Sequence, residues 1–179
     1  KHYVDFLNHK PDAILINEFF GDSENELTEK LENVAEKLSN KNNVQQVIKI
    51  IDHEKQENIW KMRQAGLGLL MNVQGDAKPY AFVEDTAVDP KYLPEFLDKF
   101  QKIIADHGTV AGFYGHASVG CLHIRPMINL KNNDELEKMH SIAQQIASLV
   151  LQYGGSLSGE HGDGILRGVF TEKMFGVSR

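Results

Sequence analysis

Apolar residues recur along the chain in two rhythms, and their alternation predicts the elements. Ala13, Ile14, Leu15 and Ile16 form a short branched run, the pattern of a buried strand. Gly21, Asp22 and Ser23 follow as a turn and a helix N-cap. Leu27, Leu31, Val34, Ala35 and Leu38 then repeat at helical spacing. Asn40, Asn42 and Asn43 break that helix, and residues 44–51 resume as a strand. A second helix over 58–70 carries Trp60 and Arg63 and leads to a loop at 75–78.

The first pattern then returns. A strand at 80–83 ends on Glu84 and Asp85, and Asp89 with Pro90 gives a cap and a first-turn proline. Leu93, Phe96, Leu97, Phe100, Ile103 and Ile104 make an apolar helical stripe, stopped by Gly108. Residues 109–114 form the next strand, and 121–125 pair with it as a hairpin. A last helix, 134–152, turns Leu136, Met139, Ile142, Ala143, Ile146 and Leu149 inward and stops at Gly154 and Gly155. The predicted fold class is α+β: duplicated ferredoxin-like β-α-β units sharing an antiparallel sheet, with helices on one face.

Composition narrows the function classes. The 179 residues suit one domain, with 41% hydrophobic residues, 25% charged and 5 prolines, so a sizeable core needs no staples. A net charge of -6 with scattered Lys and Arg argues against nucleic acid and against an anionic membrane surface as the main partner. A single cysteine, Cys121, excludes an internal disulfide and fits a reducing compartment. The expected location is cytoplasmic, or peripheral at an inner membrane. The opening Lys1, without Met or a signal pattern, reads as an excision from something longer.

Two short segments carry candidate chemistry. In Gly115-His116-Ala117-Ser118-Val119-Gly120-Cys121-Leu122-His123, the histidines converge if the loop folds back as a hairpin, which Gly115 and Gly120 permit. The glycine-rich run from Gly154 to Gly164 holds Glu160 beside His161, whose side chains project in different directions. Alone, the first segment is equally well read as two unrelated surface or core histidines, and an isolated Glu-His pair in a glycine-rich loop is more often merely solvated. Together, two histidines and a carboxylate are a ligand set that leaves positions open for substrate or water. A spare histidine beside it suits general-base work.

At these residues the sequence resembles the C-terminal domain of the FAD-linked oxidases related to vanillyl-alcohol oxidase. That family includes D-lactate dehydrogenases, the glycolate oxidase flavin subunit and D-2-hydroxyglutarate dehydrogenases. Its pattern Gly-His-x-Gly-Asp-Gly-Asn-Leu-His, followed by Gly-Ser-x-Ser-x-Glu-His-Gly-x-Gly, matches both segments. Trp60-x-x-Arg63 and the stretch from Glu84 and Asp85 to Pro90 match as well, so the resemblance covers almost the whole chain. Here Ala-Ser-Val-Gly-Cys replaces the residues usual between the histidines, as in the large bacterial branch with a C-terminal iron–sulfur region. The resemblance implies that His116, His123 and Glu160 ligate Zn²⁺ or Mn²⁺ and that His161 is the catalytic base. It implies that Arg63 holds the substrate carboxylate, with Arg125 at a position where other members place a substrate-touching asparagine. Two inward arginines would favour a dicarboxylate over lactate.

The implied reaction oxidises a D-2-hydroxy acid, of the 2-hydroxyglutarate or lactate kind, to its 2-oxo acid, with hydride passing to FAD. No phosphate-binding glycine loop on a strand-to-helix turn is present, and no Cys-rich cluster motif. Residues 1–179 are therefore expected to be the substrate and metal part, with FAD held by a missing FAD-binding domain and no turnover alone. The electron acceptor is not specified by the sequence. Two other readings stay open: a flavin-independent metal hydrolase or lyase, and a ferredoxin-like ligand-binding module. His2, His9, His53, His107 and His140 are expected to be solvated, Trp60 and the phenylalanines to be core, and Cys121 to face away from the metal.

Overall fold

The structure, a computed structural model, describes residues 11–177 and divides into two units, one up to Leu67 and one from Gly68 onward. The α+β class holds, with helices and a small antiparallel sheet. His2 and His9 lie outside the described residues.

In the first unit, α1 (Glu24–Ser39) starts where the Ser23 hydroxyl accepts from the Glu26 N–H at 3.3 Å. The Glu26 carboxylate in turn accepts from the Asp22 N–H at 2.9 Å, so two donors without helical partners are satisfied. Leu31, Val34, Ala35 and Leu38 line a cavity together with the apolar runs around 13–16 and 44–50. Those runs do not form the predicted strands: among the described residues of this unit no ladder is present. A strand draws its hydrogen bonds from a neighbour, and neither run is laddered to one among the described residues. The duplicated β-α-β pattern is therefore realised as helix without sheet in this unit. The helix α2 (His53–Met71) begins earlier than predicted, because the Asp52 carboxylate accepts from the Lys55 N–H at 2.9 Å. Trp60 is exposed rather than core, and so are Phe20 in this unit and Phe113 and Phe175 in the other.

The second unit contains the core. Its hub is β4 (Cys121–Ile128), which pairs along one edge with β3 (Ala111–His116), from Ala111↔Pro126 to His116↔Cys121. The other edge takes β1 (Lys78–Pro79) opposite Ile128 and Met127, and β2 (Thr86–Ala87) opposite Leu122 and Cys121. The predicted strand at 80–83 is instead a bend between β1 and β2. Adjacent Phe82 and Val83 are both buried, which alternating faces of an edge strand do not allow, so the backbone leaves the ladder there.

Two helices cover one face. In α3 (Leu93–Asp106), Phe96, Phe100 and Ile104 are buried at helical spacing after a cap in which Asp89 accepts from the Lys91 N–H. In α4 (Asn133–Gln152), capped by Asn132, the buried set is Ile142, Ile146, Ala147, Leu149 and Val150. Leu136, expected inward, is exposed. His107, expected to be solvated, is half-buried at the end of α3. Its Nδ1 lies 2.7 Å from the Ile103 carbonyl and its Nε2 2.9 Å from the Ser141 hydroxyl, tying α3 to α4. His53 and His140 are exposed as expected. Leu122, Ile124 and Ile128 face these helices, which leaves Cys121, His123 and Arg125 on the opposite face.

Candidate metal centre

Sheet register brings the two histidines together. Tyr114 pairs with His123 and His116 with Cys121, so all four side chains share one face and the histidines are diagonal neighbours. A single 3-10 turn, Ala117–Val119, closes the hairpin and ends at Gly120 with φ +69°. A Cβ there would sit 1.8 Å from the Val88 carbonyl oxygen, so only glycine fits. The rings of His116 and His123 stand perpendicular, with centroids 5.4 Å apart.

The glycine-rich segment 156–162 is laid against this face. Ala87 and Ser156 exchange backbone hydrogen bonds, and Gly159 N–H donates to the Asp85 carbonyl at 2.8 Å. Glu160 then reaches the histidines: its Oε2 lies 3.7 Å from His116 Nε2 and 3.5 Å from His123 Nε2. Two donors about 2.1 Å from one ion at a tetrahedral angle lie about 3.4 Å apart. The two Glu160 contacts match that spacing, and His116, His123 and Glu160 offer one atom each within 4.8 Å of one another, a group that could hold one cation. His123 is buried, whereas His116 and Glu160 are partly open to solvent, so the cluster has one accessible side.

His161 stacks on His123, with its Nε2 4.0 Å from Glu160 Oε2 and its Nδ1 3.6 Å from Glu84 Oε1. Glu84 also accepts from Arg125 Nε at 2.6 Å, while Arg125 Nη1 lies 2.9 Å from the Met71 sulfur. Arg63 belongs to the first unit, where its guanidinium lies over the Trp60 ring at 5.8 Å. Burial, and next the neighbouring His161, hold His123 below the usual histidine range, which keeps its Nε2 lone pair available to a metal.

Cys121 does not face away. Its buried sulfur lies 4.0 Å from His123 Nε2 and 3.6 Å from Asp85 Oδ1. The reason is elementary: residues two apart on a strand share a face. Burial first, then Glu160 and Asp85, push its thiol up to about 12.

Glu84, Asp85 and Arg167 escaped the sequence reading of the site. Asp85 is fully buried at φ +72°, and Arg167 is buried beneath the loop, donating to the carbonyls of Glu84, Leu157 and Gly162. Asp85 also lies within ligand reach of His123 and His161, but its oxygens are already engaged by the Ser158 hydroxyl and the Glu160 and His161 N–H groups.

A family model for the C-terminal domain of FAD linked oxidases matches residues 1–178. The chain belongs to that family. Relatives of this C-terminal domain include a D-2-hydroxyglutarate dehydrogenase of Haemophilus influenzae, 40% identical over 66% of the chain and 12% of the relative. A D-2-hydroxyglutarate dehydrogenase of Pseudomonas putida is 34% identical over 92% of the chain and 16% of its own length. A probable mitochondrial D-lactate dehydrogenase of Danio rerio is 24% identical over 89% of the chain and 31% of that protein. The chain thus spans a small part of each of these relatives.

Proposed function

We propose that this FAD-oxidase C-terminal domain is the substrate- and metal-binding part of an FAD-dependent D-2-hydroxyacid dehydrogenase. The observation that carries the reading is the convergence of His116, His123 and Glu160 beside a further histidine, His161. The names of the relatives at 34% and 40% identity support D-2-hydroxyglutarate as the substrate, ahead of D-lactate. The flavin is bound by a separate FAD-binding domain of the same polypeptide.

In this reading His116, His123 and Glu160 hold Zn²⁺, or Mn²⁺ in its place. The bound metal supplies a Lewis acid for the substrate hydroxyl, and FAD supplies the acceptor of the C2 hydride and its electron pair. His161 takes the hydroxyl proton on Nε2, the nitrogen turned toward Glu160, while Glu84 faces Nδ1 and orients the ring. Loss of that proton and that hydride converts the 2-hydroxy acid to the 2-oxo acid. Arg63 holds one substrate carboxylate. Arg125, with Nε on Glu84, meets the second only through its terminal nitrogens. The flavin-independent hydrolase and the ligand-binding module have no specific observation in their favour.

Metal analysis of the untagged chain tests this reading. About one Zn²⁺ or Mn²⁺ per chain, lost in both His116→Ala and Glu160→Ala, is the expected result. Full retention of metal in both variants sinks the ligand assignment.

A further inference from the structure

The loop bearing Glu160 and His161 is rich in glycine, and its backbone has little intrinsic preference for one shape. Its geometry is imposed from below. The Asp85 carboxylate accepts from three groups of this loop: the Ser158 hydroxyl at 2.7 Å, the Glu160 N–H at 2.9 Å and the His161 N–H at 2.9 Å. The two consecutive amides go to different oxygens, Oδ1 and Oδ2, so each is fixed separately. With both N–H groups drawn inward onto one anion, both side chains are turned outward, one toward His116 and His123 and the other onto the His123 ring.

Asp85 is itself immobilised. Its N–H donates to Leu122 and its carbonyl accepts from Gly159, each at 2.8 Å, which bolts it between β4 and the loop. Arg167 closes the rear: its guanidinium donates to three carbonyls, and its Nη2 lies 3.7 Å from Asp85 Oδ2. The left-handed backbone of Asp85 is one that Asp and Asn tolerate better than other non-glycine residues. A buried carboxylate with left-handed backbone thus holds three donors of one loop, with the Cys121 thiol of β4 a further neighbour at 3.6 Å.

We propose that Asp85, backed by Arg167, is the positioning residue that sets the directions of Glu160 and His161 and so the affinity of the site for its metal. The inference rests on the metal reading above and adds to it a support that the ligand set alone does not contain. Asp85 acts through the loop backbone and touches neither metal nor substrate.

The test compares the full chain with its Asp85→Asn, Ser158→Ala and Ser158→Thr variants by Zn²⁺ competition titration, far below each thermal midpoint. Amide hydrogen exchange at 160 and 161 is followed in the metal-free proteins. Asp85→Asn keeps the size and the tolerance for left-handed backbone but loses the charge. It is expected to weaken Zn²⁺ binding by about 10- to 100-fold with one site retained, the usual cost of losing an outer support. Exchange at both amides is expected to rise. Ser158→Ala, which removes one of the three donors, is expected to lie between wild type and Asp85→Asn, with Ser158→Thr restoring affinity. If Asp85→Asn does not fold, the two Ser158 variants decide. Folded variants with wild-type Zn²⁺ affinity and unchanged exchange overturn the proposal. Wild type that takes up no Zn²⁺, with exchange still rising in Asp85→Asn, leaves the loop clamp standing but overturns both the metal reading and the affinity claim.

Discussion

His123 and His161 stack ring on ring, centroids 5.0 Å apart and planes 19° from parallel. Two imidazoles so placed do not readily carry charge together, and His123 is the buried one of the pair. Burial leads in lowering His123, His161 and His116 add to it, and Glu160 and Glu84 oppose. The folded, metal-free protein thus binds a proton at His123 less tightly than the unfolded chain, where histidine titrates near about 6.5. The unfolded state takes up more protons as pH falls, so this contribution is complete above about 6.5 and is lost below it. The thermal midpoint of metal-free protein should fall from pH 7 to pH 5.5, and His123→Gln should flatten that slope. An equal slope in the variant would assign the pH sensitivity elsewhere.

Gly120 and Gly154 both have positive φ, +69° and +61°, yet their surroundings differ. A Cβ at Gly154 meets nothing within 4 Å, whereas one at Gly120 meets the Val88 carbonyl oxygen at 1.8 Å. Gly154→Ala should cost only the left-handed strain, about 1–2 kcal/mol. Gly120→Ala adds a clash with the backbone joining β2 to α3 and should cost more, or prevent folding. Denaturant midpoints of the two variants check the ranking, and equal losses would contradict it.

Much of the site was readable because its spacing has a physical meaning. A hairpin with glycines at 115 and 120 can return His123 beside His116, and adjacent Glu160 and His161 can point apart. The hairpin does bring His123 beside His116, whereas Glu160 and His161 do not point apart: both turn toward His123, with Oε2 and Nε2 4.0 Å from each other. Cys121 was misread although the same strand rule applied, since its parity with His123 places both on one face. Asp85 and Arg167 left only a faint trace: an acidic pair after an apolar run and an arginine beyond a glycine-rich loop. Their roles depend on backbone groups far away in sequence, which no local pattern encodes. The same holds for the bend at 80–83, where core burial of Phe82 and Val83 overrides strand propensity.

The buried thiol of Cys121 makes a chemical prediction. With its pKa pushed up to about 12, almost no thiolate exists at pH 8, and the sulfur is screened from solvent. Iodoacetamide should modify the native chain far more slowly than the same chain in denaturant, with or without added Zn²⁺. Rapid modification of the folded, metal-free protein would contradict the burial of this sulfur and its place beside His123.

The two arginines should separate stability from substrate binding. Arg125 and Glu84 form a nearly buried pair, with side-chain exposures of 13% and 9%. Removing one partner of such a pair costs about 3–5 kcal/mol, because the other charge stays buried without its counterpart. Arg125→Ala should therefore lower stability markedly even without substrate. Arg63 is exposed on α2, and its contact with Trp60 is worth about 0.5–1 kcal/mol, so Arg63→Ala should leave the fold almost unchanged. In the whole FAD-loaded protein, Arg63→Ala should raise KM for every 2-hydroxy acid. Arg125→Lys keeps a cation for Glu84 and should raise KM for 2-hydroxyglutarate more than for lactate, since only the former has a second carboxylate. Equal changes for both substrates would remove Arg125 from the substrate site and leave it as the structural partner of Glu84.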